Sequence, residues 1–246
     1  MRNKPVCTNN LALVNRKHCL SESIRLDQLV PVGDGNVLMD RQAATLLNKL
    51  LHDIGGWTQI MAVSGWRSVE EQQVIQETAL RDHGEAYTKE GFVAEPGYSE
   101  HQTGLAIDLG LRMETIDFIC PEFPYTGIAQ TFRNRAAHYG FIQRYLSGKE
   151  HITGIAHEPW HFRYVGVPHA EIITNLGVVL EEYIELLRQY PVGQRPFVFQ
   201  SKQYTFELSY LSREEKKTEV VEETAALFSS DNCGGLIRTM WKNRES

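Results

Sequence analysis

No run of apolar residues in this chain approaches the roughly 18 consecutive positions that a membrane-spanning helix needs. Near the N-terminus, the only apolar run covers residues 11–14, which is too short for the hydrophobic segment of a signal peptide. The sequence therefore predicts neither a membrane anchor nor an export signal, and we expect the protein to work in the cytoplasm.

Cysteine is sparse and has no metal-binding spacing. The four cysteines are Cys7, Cys19, Cys120 and Cys233, and no C-x-x-C occurs. This scatter argues against a zinc ribbon and against a dense disulfide framework. We expect thiols in a reducing compartment, with a single disulfide left open.

Positive charge is also in short supply, with 25 Lys and Arg against 31 Asp and Glu and a net charge of −6. A nucleic-acid partner is not expected, because such a protein needs a basic surface to neutralise phosphates. A hydrophobic content of 42% and a charged content of 23% are typical of a globular protein.

Hydrophobic periodicity and capping patterns predict a mixture of helices and local strand pairs. Helices are predicted over residues 40–54, 68–83, 129–139, 170–190 and 212–228. Strands are predicted over residues 11–15, 60–64, 105–109, 161–165 and 236–241, with two more within residues 197–211. This order, without regular alternation of strand and helix, indicates an α+β fold.

Two distant segments offer the ligands of a catalytic zinc site. The first, S-E-H-Q-T-G-L-A-I-D at residues 99–108, contains His101 and Asp108; the second, E-P-W-H, contains Glu158 and His161. Catalytic zinc typically takes three protein ligands and leaves a fourth position for water, whose proton a neighbouring carboxylate can accept. Two histidines and Asp108 would be the ligands, and Glu158 would be the spare carboxylate.

The second segment also matches H-E-x-x-H, the pattern of helical zinc proteases, through His157 and His161. That pattern works because histidines four apart share one helix face. Pro159 argues against a helix here, and the following F-R-Y-V-G is typical of a strand. We therefore expect His157 to be a hydrogen-bonding residue near the site, while the helical-protease reading stays open as an alternative.

The two segments closely resemble the zinc D,D-peptidases of the VanY and VanXY type, whose pattern is S-x-H-x-x-G-x-A-x-D followed by E-x-x-H. The segment S-G-W-R-S at residues 64–68 resembles the S-x-x-R-S strand end of that family, and E-P-W-H-F-R-Y-V-G at residues 158–166 resembles its second motif. The likeness covers about residues 14–190. We expect one zinc D,D-peptidase domain, with a catalytic core over about residues 11–190 and an α/β extension over about 191–246.

The resemblance implies a role for each matched residue. Zinc would be held by His101, Asp108 and His161, with Glu158 as general base and Arg67 binding the oxygen of the scissile carbonyl. The implied substrate contacts are Ser64, Tyr98, Ser99 and Trp160. The implied architecture is a central antiparallel sheet with helices packed around it and the zinc site in a cleft on the sheet.

The resemblance further implies hydrolysis of the dipeptide D-Ala-D-Ala and removal of the terminal D-Ala from the UDP-MurNAc-pentapeptide precursor. Such an activity gives resistance to vancomycin-type antibiotics. The enzyme would spare either D-Ala-D-Ser ends or D-Ala-D-lactate ends, whichever the replacement pathway makes. The loop over residues 147–156 is a candidate rim that would serve both substrates.

Two other interpretations remain beside this one and the helical zinc protease described above. The same scaffold serves peptidoglycan endopeptidases, and it also serves non-catalytic zinc proteins such as the signalling domain of Hedgehog proteins. The presence of both Glu158 and Arg67 argues against the non-catalytic reading. The aromatic strands within residues 197–211 would extend a sheet, cover the site or form a dimer edge, so a homodimer is one expected assembly.

Overall fold

The computed structural model describes residues 6–89, 93–212 and 226–244. Its strands are β1 (Val6–Thr8), β2 (Leu29–Val32), β3 (Val37–Asp40), β4 (Ile60–Ser64), β5 (Ala106–Leu111), β6 (Phe141–Tyr145), β7 (Glu158–Tyr164), β8 (Phe197–Gln200), β9 (Tyr204–Leu211), β10 (Ala226–Ser230) and β11 (Leu236–Asn243). Its helices are α1 (Arg41–Asp53), α2 (Val69–Lys89), α3 (Gly127–Ala136), α4 (Glu150–Thr153), α5 (His169–Leu176) and α6 (Leu180–Arg188).

These elements form two compact units. The larger unit is Val14–Val179, and the smaller unit combines Met1–Leu13 with Leu180–Ser246. The prediction of one domain with a core over about residues 11–190 stays a prediction.

An antiparallel sheet of four strands, in the order β4-β5-β7-β6, is the centre of the larger unit. Side chains on a strand alternate between the two faces of a sheet. Ile107, Leu109 and Phe162 accordingly join the core, while Asp108 and His161 point to the opposite face. The predicted α+β fold with a central antiparallel sheet is confirmed.

Helices α1 and α3 supply much of the core that covers one face of this sheet. Helix α1 begins where the Asp40 carboxylate accepts hydrogen bonds from the backbone N–H groups of Gln42 and Ala43. Its apolar positions fall at helical spacing and are buried, as at Leu47 and Leu50. The helix predicted over residues 40–54 is thus confirmed.

The helix predicted from residue 68 begins as expected. The hydroxyl of Ser68 accepts from the backbone N–H of Glu71, and the Glu71 carboxylate accepts from the backbone N–H of Ser68, which is a reciprocal capping box. The backbone leaves helical geometry at Gly84, where φ is 77°, close to the predicted end, and helical residues continue to Lys89 beyond this break.

The smaller unit contains a five-stranded sheet in the order β1-β10-β11-β9-β8. Strand β1 runs parallel to β10, and the other pairs are antiparallel. The two strands predicted within residues 197–211 are confirmed as β8 and β9. Strand β8 lies at one edge of this sheet.

Three sequence-based expectations need correction. Residues 11–15 form no strand, because their backbone groups bond to turns and side chains; the Leu11 N–H, for example, donates to the Ser229 hydroxyl. The helix predicted over 170–190 is two helices, α5 and α6, since Gly177 ends α5 with φ at 64°. Of the helix predicted over 212–228, residues 213–225 lie outside the described residues. Its last three positions, which begin at Ala226, belong to strand β10 and are not helical.

None of the four cysteines, all of which are among the described residues, forms a disulfide. This confirms the prediction of thiols. Within the same described ranges, no helix combines the length and the apolarity required to cross a membrane.

Candidate metal centre

Three residues that could ligate a metal meet on the face of the sheet opposite the core. His101 lies in a 3-10 turn, Asp108 on β5 and His161 on β7, and all three side chains are buried. One ligand atom from each lies within 4.8 Å of the others. His101 Nε2 is 3.1 Å from Asp108 Oδ2, and His161 Nδ1 is 2.9 Å from Asp108 Oδ1.

The spacing between His101 and Asp108 follows from the local backbone. The 3-10 turn Glu100–Thr103 ends at Gly104, where φ is 72°, a left-handed conformation that favours glycine. A Cβ there would come within 2.9 Å of Ile24 and 3.1 Å of Leu29. The chain then enters β5, and Asp108 is its third residue.

A second contact fixes the orientation of the His101 ring. Its Nδ1 lies 2.6 Å from the carbonyl oxygen of Gly65, to which it donates, so in the neutral ring Nε2, which is 3.1 Å from Asp108 Oδ2, is the nitrogen left free for a metal. Burial, followed by the charge of Arg67, lowers the pKa of His101 to about 4. A neutral ring at cellular pH is what a metal ligand requires.

Asp108 is buried, and burial by itself would raise the pKa of its carboxyl group. In the acid range where this group titrates, protonated His101 and His161 nevertheless hold that pKa well below its usual value through charge and hydrogen bonds. Burial by itself would lower the pKa of His161, but Asp108 and Glu100 raise it to about 9, so this ring gives up a proton when it ligates a metal. Two imidazoles and one ionised carboxylate form a donor set that suits catalytic zinc.

Glu158 is the carboxyl group beside these ligands. It is the first residue of β7, it is buried, and its Oε2 lies 3.7 Å from His161 Nδ1. Burial raises its pKa to about 8, and the negative charge of Asp108 adds to this effect. A carboxyl group with a pKa near neutrality is suited to taking and returning a proton.

Pro159 sits within β7 although it lacks an N–H. The register between β6 and β7 shifts between Gln143 and Tyr145, and β5 pairs with β7 only from His161 onwards, so Pro159 lies at an irregular strand end. The strand thus begins at Glu158, three residues earlier than predicted.

His157 is not part of the group that could hold a metal among the described residues. Its Nε2 lies 2.7 Å from the hydroxyl of Tyr125, and the two rings stack at 6.0 Å. The H-E-x-x-H pattern therefore runs along a strand entry, and its two histidines have different partners.

Arg67 follows β4 and approaches the same centre. One of its nitrogens, Nη2, is 3.5 Å from Asp108 Oδ2, and another, Nη1, donates to Gln72 Oε1 at 3.0 Å. Gln72 in turn donates to the Ala94 carbonyl at 2.8 Å. No sequence motif pointed to Gln72; the available signal was a glutamine on the buried side of a capped helix.

A cavity of about 370 Å³ opens beside these residues. Three predicted substrate contacts, Ser64, Ser99 and Trp160, line it, whereas Tyr98 is not among its lining residues. Apolar side chains from elsewhere in the larger unit also line the cavity: Val74 and Ile75 from α2, Phe118 and Ile119 from the loop after β5, and Ile155. The predicted rim over residues 147–156 contributes Ile155 and contains the short helix α4.

Comparisons with known proteins point to one family. The family model for VanY, described as D-alanyl-D-alanine carboxypeptidase, matches residues 36–167. The chain is similar to the bifunctional D-Ala-D-Ala dipeptidase and D-Ala-D-Ala carboxypeptidase VanXYC of Enterococcus gallinarum, with 44% identity over 184 residues that cover 74% of this chain and 96% of that protein.

Solved structures agree with this likeness. The vancomycin resistance D,D-dipeptidase VanXYg, in complex with a D-Ala-D-Ala phosphinate analog, matches with a TM-score of 0.87 and 41% identity, covering 95% of this chain and 94% of that chain. A mutant of the D,D-pentapeptidase VanY from a VanB-type resistance cassette, in complex with Zn(II), matches with a TM-score of 0.58 and 29% identity, covering 71% of this chain and 98% of that chain.

Proposed function

Because this chain belongs to the VanY family of D-alanyl-D-alanine carboxypeptidases, we propose that it is a zinc-dependent D,D-peptidase that hydrolyses D-Ala-D-Ala and removes the terminal D-Ala from the precursor pentapeptide. The observation that carries the proposal is the geometry of Glu158. Its carboxyl group lies 3.7 Å from the ligand atom of His161 without belonging to the three-residue ligand group.

His101 Nε2, one carboxylate oxygen of Asp108 and His161 Nδ1 would hold the ion. A zinc ion held there would supply Lewis acidity, which acidifies water and polarises a carbonyl oxygen. Glu158 Oε2 takes the proton of the attacking water and returns it to the amine that leaves. Arg67 donates hydrogen bonds to the carbonyl oxygen of the scissile bond, where negative charge develops during attack.

The cavity suits a small substrate. Its volume of about 370 Å³ lies at the lower end of the usual range for ligand pockets. The hydroxyl groups of Ser64 and Ser99 supply hydrogen bonds to the charged and polar ends of the dipeptide. Trp160 forms part of the cavity wall. Tyr98 does not line the cavity, so any contact it makes with the substrate would lie outside the cavity.

The biological consequence we propose is resistance to vancomycin-type antibiotics through destruction of D-Ala-D-Ala ends, which the likeness to the vancomycin resistance D,D-dipeptidase VanXYg supports. We assign the activity to the cytoplasm. Exposed thiols such as those of Cys7 and Cys19 are typical of proteins in a reducing compartment, which supports this assignment.

The test measures free D-Ala after the zinc-loaded protein is incubated with D-Ala-D-Ala, with D-Ala-D-Ser and with the precursor pentapeptide, each with and without a chelator. Release from the first and third substrates, abolished by the chelator, is expected. A protein that binds zinc and releases nothing would be the non-catalytic alternative. A parallel incubation with cross-linked peptidoglycan tests the endopeptidase alternative, which cleavage of that substrate alone would indicate.

A further inference from the structure

A buried carboxylate, Glu100, lies behind the ligand His161. Oε1 of Glu100 accepts a hydrogen bond from Arg144 Nε at 2.8 Å and another from Arg163 Nη1 at 2.8 Å. The side chains of Glu100 and both arginines are fully buried. The other oxygen, Oε2, lies 3.5 Å from His161 Nε2.

Glu100 Oε2 can accept the hydrogen bond that His161 Nε2 can donate. Both are buried, and neither has a hydrogen-bond partner among the described residues. Their separation of 3.5 Å is longer than an ordinary hydrogen bond of about 2.7–3.2 Å. The other ring nitrogen, Nδ1, lies 2.9 Å from Asp108 Oδ1, so the ring is placed between the two carboxyl groups.

We propose that Glu100 is a positioning residue for the metal: it accepts the Nε2–H of His161, and it thereby keeps the proton off Nδ1, the atom that would ligate zinc. The proposal rests on the metal site of the proposed function. A neutral imidazole carries one proton, so an acceptor at Nε2 decides which nitrogen is free to ligate.

The two arginines explain why Glu100 can do this in a buried place. Arginine only donates hydrogen bonds, so Arg144 and Arg163 together fix Oε1 and leave Oε2 for the histidine. Arg163 and His161 lie two residues apart on β7, on the same face of the sheet, and Arg144 comes from the neighbouring β6. The dipeptide Glu100–His101 thus supplies one ligand and orients the other.

The substitution Glu100→Gln tests this role sharply. Both arginines donate hydrogen bonds and therefore bind the amide oxygen, so the amide NH₂ must face His161 Nε2. The amide NH₂ would then face the Nε2–H of His161, and two donors repel each other. The His161 ring therefore favours the tautomer with its proton on Nδ1, which blocks the nitrogen that would ligate zinc. We expect the zinc affinity, measured by competition with a chromophoric chelator, to fall 10- to 100-fold, the usual effect of losing such an outer partner.

A second variant separates the effect on the His161 tautomer from the effect of the changed net charge around position 100. In Glu100→Gln alone, the two arginines lose their counter-ion, whereas Glu100→Gln with Arg144→Met restores the original sum of charges. The double variant should remain weak in zinc binding. Recovery of wild-type affinity in the double variant, or unchanged affinity in a folded single variant, overturns the proposal.

A control variant and a spectroscopic measurement accompany these two variants. Phe132→Leu, a change in the core cluster on the other face of the sheet, is the control for general loss of stability and should bind zinc as the wild type does. In ¹⁵N-histidine spectra of the zinc-loaded wild type, His161 should be protonated at Nε2. Wild-type protein that binds zinc tightly but releases no D-Ala would refute the proposed function and leave the role of Glu100 standing.

Discussion

Asp108 lies directly opposite His161 in the ladder between β5 and β7, and the two side chains meet at 2.9 Å. Ser64 lies opposite Asp108 on the other side, so three neighbouring strands present one row of functional side chains. Cross-strand neighbours on one face are held close by the ladder itself. The centre is therefore built on rigid elements, with only His101 supplied by a turn.

The first prediction concerns Glu158→Gln. The amide keeps the size of the side chain but cannot take a proton, so kcat should fall by about 10²- to 10⁴-fold, the usual contribution of a general base. Zinc affinity should change little, because Glu158 is not in the ligand group. Stopped assays of D-Ala release measure kcat, and competition with a chelator measures zinc affinity. If the variant retained more than a tenth of wild-type kcat, Glu158 would not be the general base.

The second prediction separates the ligand set from the helical-protease pattern. Asp108→Ala should abolish tight zinc binding, whereas His157→Ala should bind zinc as the wild type does, because His157 contacts Tyr125 instead. Metal content after gel filtration, measured by atomic absorption, is the readout. Loss of zinc in His157→Ala would revive the interpretation of His157 as a ligand.

The residues of the predicted metal centre could be picked out from the sequence because their signals are local. The turn, the glycine and the strand that separate His101 from Asp108 fall within one short segment, and Glu158 and His161 fall within another. Their convergence could be expected from the resemblance, even though the two segments are distant in the chain.

Glu100 shows what sequence reasoning could not reach. Its partners Arg144 and Arg163 lie 44 and 63 residues away, and no local spacing links a residue in a turn to partners on two distant strands. A glutamate in a polar stretch looks exposed, yet burial here is stabilised by two guanidinium groups. The break at Gly177 is a different case, since the glycine was visible but the helical pattern continued on both sides of it.

The third prediction concerns Gly65→Ala. A Cβ at Gly65 would collide with the carbonyl oxygen of Leu38 and lie 2.6 Å from Val37, so the backbone must shift. That shift moves the Gly65 carbonyl away from His101 Nδ1. We expect the free energy of unfolding to fall by about 1–3 kcal/mol and zinc affinity to fall at least several-fold.

The matched control for this change is Gly55→Ala. Gly55 has φ at 63° and no neighbouring atom within 4 Å of a Cβ, so the substitution should cost about 1–2 kcal/mol of backbone strain without affecting zinc. Denaturant titration and chelator competition give both numbers. Equal zinc affinity in the two variants would show that the Gly65 carbonyl does not orient His101.

The fourth prediction concerns Arg67. Its guanidinium is held by Gln72 beside Asp108, so it is positioned before substrate arrives. Arg67→Ala should lower kcat by about 10²- to 10³-fold, the usual loss for a group that stabilises a developing oxyanion. The exposed Arg41→Ala is the control and should keep wild-type turnover. An effect of Arg67→Ala confined to KM would indicate binding of the substrate and no role at the reacting oxygen.

The last prediction concerns acid stability and His169, the buried first residue of α5. Burial lowers its pKa to about 3, so the folded protein keeps the ring neutral while the unfolded chain binds a proton below its ordinary pKa of 6.5. Stability that is fully present above pH 6.5 is therefore lost as the pH falls towards 3. The contribution of this group should amount to about 2 kcal/mol between pH 7 and pH 5.

His169→Gln removes the titrating group, so its free energy of unfolding should decline less steeply than that of the wild type between pH 7 and pH 5. Comparing slopes cancels any constant loss of packing in the variant, and it also cancels contributions that both proteins share, including release of metal. Between pH 7 and pH 8 the two curves should run parallel, because His169 is neutral in both the folded and the unfolded states there. Parallel curves down to pH 5 would show that His169 does not carry the acid sensitivity assigned to it.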